Sequence, residues 1–400
     1  RLKINPAAWK REQVVPIPKK PGVRQLDGLR PLKLLEVTRK AVCGLVKTRV
    51  AAVLERRGML DILQAGGRPD FSTHTAAFAL TRVFEDARAR RLPVHAVLLD
   101  IRKAYDTVAR PIGKEIALRR MGIPEDVIAW FIELDRCNRN TVRTIWRTEA
   151  PSSADREPGE FEARRGFAQG AAEAPLLWLI FYDMVIAALK AAGVGRSVYL
   201  ASNGVDGVWV PLLAYMDDLA LLSRTTVEMT VSLNATQNIL RVVGLEVEPT
   251  KSVHMGIEWL DAVDAQWLVG DEAWRQAGCM VSMGGLEIPR VDHDVGTRYL
   301  GVRVDGAGRW SDQLVVQEQA LQQALMDMGR ARIPPSLAKY IWRSVLTPKA
   351  LFPFAVASPP WEELASLELR TWKRFAPLFG LRQPMPLALA LGDPAMGGWG

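Results

Sequence analysis

Two short apolar runs, Leu212–Tyr215 and Leu219–Leu222, flank Met216-Asp217-Asp218. So short a break between such runs leaves room for little but a reversal, and the stretch predicts a β-hairpin with an acidic tip. Adjacent aspartates in a turn ordinarily mean only a turn. Asp100 changes that reading. It closes the apolar run Val94–Leu99, which has the length and purity of a central strand, and a charge at the end of a buried strand is costly without a partner. A central strand beside a hairpin can bring Asp100, Asp217 and Asp218 to one point. Three gathered carboxylates repel at neutral pH unless cations lie between them. All-oxygen ligation suits Mg²⁺, with Mn²⁺ the alternative, and two such ions about 4 Å apart clamp the oxygens of an in-line phosphoryl transfer.

The rest of the chain is compatible with such a centre. At 400 residues, 48% hydrophobic and 24% charged, it has the make-up of two or three globular units and not of a disordered or disulfide-stapled chain. Cys43, Cys137 and Cys279 lie far apart, which argues against a local zinc site and for a reducing compartment. The four histidines, His74, His95, His254 and His293, show no ligand spacing. Residues 1–60 hold 15 Lys/Arg against 4 Asp/Glu, and residues 330–382 hold 9 against 3, so the middle is net acidic although the whole carries +8. Basic flanks around an acidic middle suit a protein that grips a polyanion and handles cations at its centre; a pair of solvated basic faces is the plain alternative. Arg1 begins the chain with no apolar leader after it, and Gly-Gly-Trp-Gly ends it, so it reads as a piece of a longer protein.

Along the chain, residues 13–18 read as a strand leading to a basic turn, and helices are expected near Leu34–Leu54 and Ser72–Arg90. Gly66-Gly67-Arg68-Pro69 is a break and residues 151–160 a polar loop. Ala174–Leu189 is strongly apolar, but its 16 residues contain Asp183, whereas a membrane span needs about 20 clean ones. A buried helix is expected there, and no membrane association. Thr225–Val243 reads as a helix beside the hairpin. Val302–Trp310 reads as a turn, with Ser311 capping a helix whose face is Leu314, Leu321, Leu325 and Met328. A boundary near residue 305 separates a mixed α/β part, 1–305, from a mostly helical part, 306–400.

Five segments then fall in a familiar order. Asp100-Ile101-Arg102-Lys103-Ala104-Tyr105-Asp106 resembles motif A of reverse transcriptases, and Arg165–Gly170 with Pro175 resembles motif B. Ala214–Asp218 resembles the Y-x-D-D box, Gly244-Leu245 with Lys251 motif D, and Arg298–Gly301 motif E. Lys19 and Leu29-Arg30-Pro31 resemble the fingers motifs, and Gln64–Thr73 the block before motif A. The form of motifs A and E resembles the non-LTR, LINE-like type most, with group II intron enzymes as the rival. The resemblance implies an α+β right-hand polymerase fold, with fingers and an antiparallel palm sheet in 1–305 and a helical thumb in 306–400. It also implies RNA-directed DNA synthesis from a primed end, using dNTPs, an RNA template and a DNA primer, inside the cell and in the nucleus.

The same resemblance implies roles. Asp100 and Asp217 bridge the metal ions and Asp218 supports them. Tyr105 lies under the sugar of the incoming nucleotide, or is a core tyrosine, while Asp106 holds its turn. Arg30 and Lys19 contact the triphosphate, or belong to a solvated basic face. Gln169 and Gly170 contact template or nucleotide, or begin a helix. Lys251 protonates the leaving pyrophosphate, or is an exposed lysine. Two departures stand out: Ala174 replaces the usual Ser before the motif B Pro with Glu173 ahead of it, and Glu248 holds the motif D Asn position. Retention of all three carboxylates argues against a polymerase-fold RNA-binding scaffold without catalysis. The aromatic Tyr105 argues against an RNA-making relative.

Overall fold

The computed structural model describes residues 5–379 apart from 21, 23–24, 144–147, 150–159, 203–204, 262 and 265. Most of the loop expected at 151–160 and the last twenty-one residues lie outside the described residues. The chain packs as two compact units. One is formed by Arg1–Ser72, Pro93–His254 and Asp271–Arg290, the other by Thr73–Leu92, Met255–Gly270 and Val291–Gly400. Both helices and sheets build the first unit, as the α+β expectation requires.

In the first unit, Arg11–Pro18 pairs antiparallel with Leu29–Leu34 and parallel with Arg139–Arg143. The central strand is Val94–Leu99, with the bounds expected from its apolar run and with five of its six side chains buried. Asp218–Ser223 lies antiparallel to it, Leu219 opposite Leu99, and turns back on Leu212–Tyr215 through Met216-Asp217. The expected hairpin is therefore present, and its acidic tip lies at the same sheet end as Asp100. Helix Ala174–Ala191 fills the space behind, with Trp178, Phe181 and Tyr182 fully buried. Among the described residues it is the one helix long and apolar enough to cross a membrane, but two-thirds of it is buried within the protein. Asp183 is tolerated there because its carboxylate accepts from the Asp61 N–H and from Arg120 Nη1, both at 2.6 Å.

The second unit contains helix Thr73–Arg90, a short hairpin and a set of helices running to residue 379. Val302–Val304 is not the expected turn but a strand, paired antiparallel with Thr297–Tyr299 across Leu300-Gly301. Ser311 is not the expected cap either. It is the first residue of helix Ser311–Arg330, and the capping residue, Trp310, offers no side-chain hydrogen bond. The buried face of that helix is Gln313, Gln317, Leu321, Leu325 and Met328, so glutamines replace Leu314 at its start. They are buried because they are satisfied: Gln313 Oε1 accepts from the Arg303 N–H at 2.7 Å, and Gln317 Nε2 donates to the carbonyls of Lys349 and Ala350. Leu321, Leu325 and Met328 pack with Ala338, Leu346 and Phe375, the last from the amphipathic helix Trp361–Phe375.

Candidate active site

The end of the central strand is shaped by backbone bonds. The Asp100 N–H donates to Ser252 Oγ at 3.2 Å, and its carbonyl accepts from the Glu248 N–H at 2.9 Å. The chain then turns sharply, with Lys103 in the left-handed region at φ 46°, and a short helix, Ala104–Thr107, carries Tyr105 and Asp106. The hairpin tip is equally tight. Met216, the first turn residue, has φ 55°, at a position that two-residue hairpins usually give to Gly, Asn or Asp.

Asp217 is an electrostatically perturbed acid of this centre. Its carboxyl is pushed up from the ordinary carboxylate range, first by burial and further by the Asp100 charge, although its own backbone N–H and the Arg30 charge pull the other way. Asp100, Asp217 and Arg30 therefore share one electrostatic environment. Tyr105 belongs to it as well, since burial and then the Asp217 charge push its phenol above the usual range. The ring stacks on Trp178 with centroids 4.6 Å apart and planes within 16°, and its hydroxyl donates to Met216 Sδ at 3.5 Å. The core-tyrosine reading and the site reading thus meet in one half-buried residue.

Asp218 is more open than Asp217. Successive residues leave the backbone in different directions, and Asp218, the first residue of its strand, is exposed. Among the described residues no three Asp, Glu, His or Cys side chains come close enough to hold a metal ion. The Asp100–Asp217 pair nevertheless fits a hard divalent cation in kind. Its donors are carboxylate oxygens, and the Asp100 charge adds to burial in raising the Asp217 carboxyl, against the pull of Arg30.

The other expected residues divide into three groups. Arg30, exposed on Leu29–Leu34, faces the acidic tip electrostatically. Lys19 is exposed, its N–H donating to the Gly28 carbonyl, and its charge acts on Asp106. Gln169 is engaged by the protein itself: Nε2 donates to Asp106 Oδ1 at 3.1 Å, and its carbonyl accepts from the Lys33 N–H at 2.7 Å. Gly170 has φ 104°, and a Cβ there would press on the Lys33 carbonyl, so the close approach it permits is to the neighbouring strand. Lys251 is exposed, 3.6 Å from Glu248 on the same short turn.

Glu173, one of the motif B departures, is buried in an ion-pair network. Arg39, fully buried, reaches Glu12 at 2.7 Å and Glu173 at 3.4 Å, and Glu12 also accepts from Lys33 at 2.6 Å and from Asn138 at 2.9 Å. Cys43 lies beside this pair, its thiol pushed up to about 12 by burial first and then by Glu173. Three contributors went unread in the sequence: Arg39, Ser252 and Gln64. Gln64 lies within the block resembling the one before motif A, but nothing in its neighbours marks it as a buried amide. His95 and His254, unremarkable by spacing, form a buried pair with ring nitrogens 3.2 Å apart.

Comparison with known proteins identifies the family. The family model "Reverse transcriptase (RNA-dependent DNA polymerase)" matches residues 17–304. The chain is 26% identical over 253 residues to the "Retrovirus-related Pol polyprotein from type-1 retrotransposable element R2" of Popillia japonica, covering 63% of this chain and 33% of that one. It is 22% identical over 393 residues to the "Retrovirus-related Pol polyprotein from type-2 retrotransposable element R2DM" of Drosophila melanogaster, covering 96% and 33%. It thus spans about a third of the length of these two relatives. Among solved structures, a Candida tropicalis telomerase in complex with a fragment of telomeric RNA matches at a TM-score of 0.49 and 11% identity, covering 94% of this chain and 59% of that one. With the family model spanning most of the chain, this protein belongs to the reverse transcriptase family and is similar to the Pol polyproteins of R2 non-LTR retrotransposons.

Proposed function

We propose that this chain is an RNA-directed DNA polymerase that extends a DNA primer on an RNA template by nucleotidyl transfer from dNTPs, as part of retrotransposition. One observation carries the reading: Asp100 and Asp217, flanking the same end of two paired strands, share an electrostatic environment with Arg30 and Tyr105. In this reading residues 1–305 serve as fingers and palm and 306–400 as thumb, and the enzyme works inside the cell, in the nucleus. Two Mg²⁺ ions, or Mn²⁺, held by Asp100 and Asp217 with Asp218 supporting, would supply Lewis-acid stabilisation of the phosphoryl oxygens. The chain's own groups do the rest. Arg30 and Lys19 orient the triphosphate and offset its charge. Tyr105, backed by Trp178, presents a wall to the sugar and leaves no room for a 2′-hydroxyl. Gln169 and Gly170 fix the motif B backbone beside Asp106, where template and nucleotide meet. Lys251 gives its proton to the leaving pyrophosphate.

The test is single-turnover primer extension on an RNA template. Extension with dNTPs that requires Mg²⁺ is expected. A protein that binds primer–template tightly yet adds no nucleotide with either ion contradicts the reading.

A further inference from the structure

Gln64 is a fully buried amide, and two of its three side-chain bonds serve one backbone turn. Its Oε1 accepts from the Met216 N–H at 3.2 Å and from the Gly66 N–H at 3.0 Å, while Nε2 donates to the Met216 carbonyl across a long 3.5 Å. The backbone beside it is stitched to the same hairpin. The Ala65 N–H donates to the Ala214 carbonyl and the Ala214 N–H to the Leu63 carbonyl, each at 2.9 Å. The approach is so close that a Cβ on Gly66 would collide with the Met216 backbone nitrogen, and one on Gly67 with the Met216 methyl.

Met216 needs such a hold. A non-glycine residue with φ 55° occupies a region that L residues enter at a cost of about 1–2 kcal/mol, and it persists only where its surroundings over-determine it. The next residue is Asp217. Whatever sets the Met216 dihedrals therefore sets the direction in which the Asp217 carboxylate leaves the chain. Met216 Sδ also receives the Tyr105 hydroxyl, so the same turn touches the sugar wall.

We infer that Gln64 is a positioning residue, clamping the Met216–Asp217 turn so that the Asp217 carboxylate faces Asp100. Gly66 and Gly67 are the small residues that let the clamp close. The inference rests on the catalytic reading of Asp217 given above. It differs from a mere packing role in what it expects: loss of the clamp spoils the chemical step and cation binding and leaves substrate binding alone.

The experiment compares wild type with Gln64→Met, which keeps the volume and removes the hydrogen bonds, and Gln64→Asn, which keeps an amide but shortens it. Leu189→Ala, a core truncation at the end of the Ala174–Ala191 helix, controls for lost stability, and Asp217→Asn tests the underlying reading. Each is measured for thermal unfolding, primer–template affinity, kcat and KM for dNTP, and binding of Mn²⁺ alone by electron paramagnetic resonance. A displacement of about 1 Å at a reacting centre costs about a hundredfold. Gln64→Met is therefore expected to lower kcat by roughly ten- to a hundredfold and to weaken Mn²⁺ binding about tenfold, with KM and primer–template affinity within about threefold. Gln64→Asn should show the same pattern more mildly, and it carries the test if Gln64→Met fails to fold. Wild-type kcat and Mn²⁺ binding in a folded Gln64 variant, or the same pattern in Leu189→Ala, overturns the inference. Full activity in Asp217→Asn overturns the catalytic reading and the inference with it.

Discussion

Arg39→Met is the substitution whose cost the structure defines best. The methionine keeps the length of the stem and removes the charge. Arg39 is fully buried and makes three bonds: to the Trp9 carbonyl and to Glu12 at 2.7 Å, and to Glu173 at 3.4 Å. Burial disfavours the guanidinium charge, but Glu12 and Glu173 more than offset it, and its pKa stays above the ordinary value. After substitution Glu12 retains Lys33 and Asn138, whereas Glu173 loses the one cation it is bonded to among the described residues. Breaking a buried pair by removing one partner costs about 3–5 kcal/mol, against a net stability of about 5–15 kcal/mol for a domain. Arg39→Met should therefore lose about 3–5 kcal/mol. Glu173→Gln, which gives up a single long contact, should lose only about 1 kcal/mol. The double variant Arg39→Met/Glu173→Leu should be more stable than Arg39→Met alone, because the orphaned charge is gone. Urea denaturation followed by tryptophan fluorescence measures all three. A loss below about 1 kcal/mol in Arg39→Met, or a double variant no more stable than Arg39→Met alone, refutes the reasoning.

Three further outcomes are expected. Burial first, then the His95 and Arg290 charges, hold His254 well below 6.5, so unfolding raises its pKa. The stability it contributes is complete above about pH 6.5 and is lost as pH falls below that, at up to about 1.4 kcal/mol per pH unit; urea midpoints at pH 8 and 5 should diverge less in His254→Leu, and an equal divergence would sink the assignment. Tyr105→Ala should raise ribonucleotide use relative to deoxynucleotide use by up to about a hundredfold in single-nucleotide extension, and an unchanged ratio would make Tyr105 a core residue only. Primer–template affinity should fall steeply with salt, given the basic stretches 1–60 and 330–382; a flat plot of log affinity against log salt would exclude phosphate contacts as its source.

What the sequence disclosed depended on the range over which each feature is encoded. Val94–Leu99 and the 212–222 hairpin were legible because short apolar runs with clear ends carry their own boundaries. Ala174–Leu189 was legible as a buried helix because its apolar character runs right around it. Asp100 and Asp217 were candidates because both end apolar runs with a charge. The Thr297–Val304 hairpin was hidden, since three-residue strands are too short to show alternation. Gln313 and Gln317 displaced Leu314 from a buried face because partners far along the chain satisfy them. Long-range polar pairing is the common reason for the remaining gaps. Glu173 looks like a liability until Arg39, 134 residues earlier, is seen beside it, and Gln64 looks like a loop residue until Met216, 152 residues later, is folded onto it. Gly170 carried a signal of close backbone approach, and the neighbour the structure shows is the Lys33 carbonyl.

The most direct test of the centre is Asp217→Asn in the Mg²⁺-dependent extension assay, with primer–template affinity measured alongside. The carboxylate is lost at constant size, and Asp217 is already disfavoured as an anion by burial and by Asp100, so the fold should be undamaged. Extension should vanish while primer–template affinity stays near wild type, since the basic stretches and not the acidic tip supply most of the binding. Extension at a near wild-type rate would show that Asp217 does not serve the chemistry and would contradict the account.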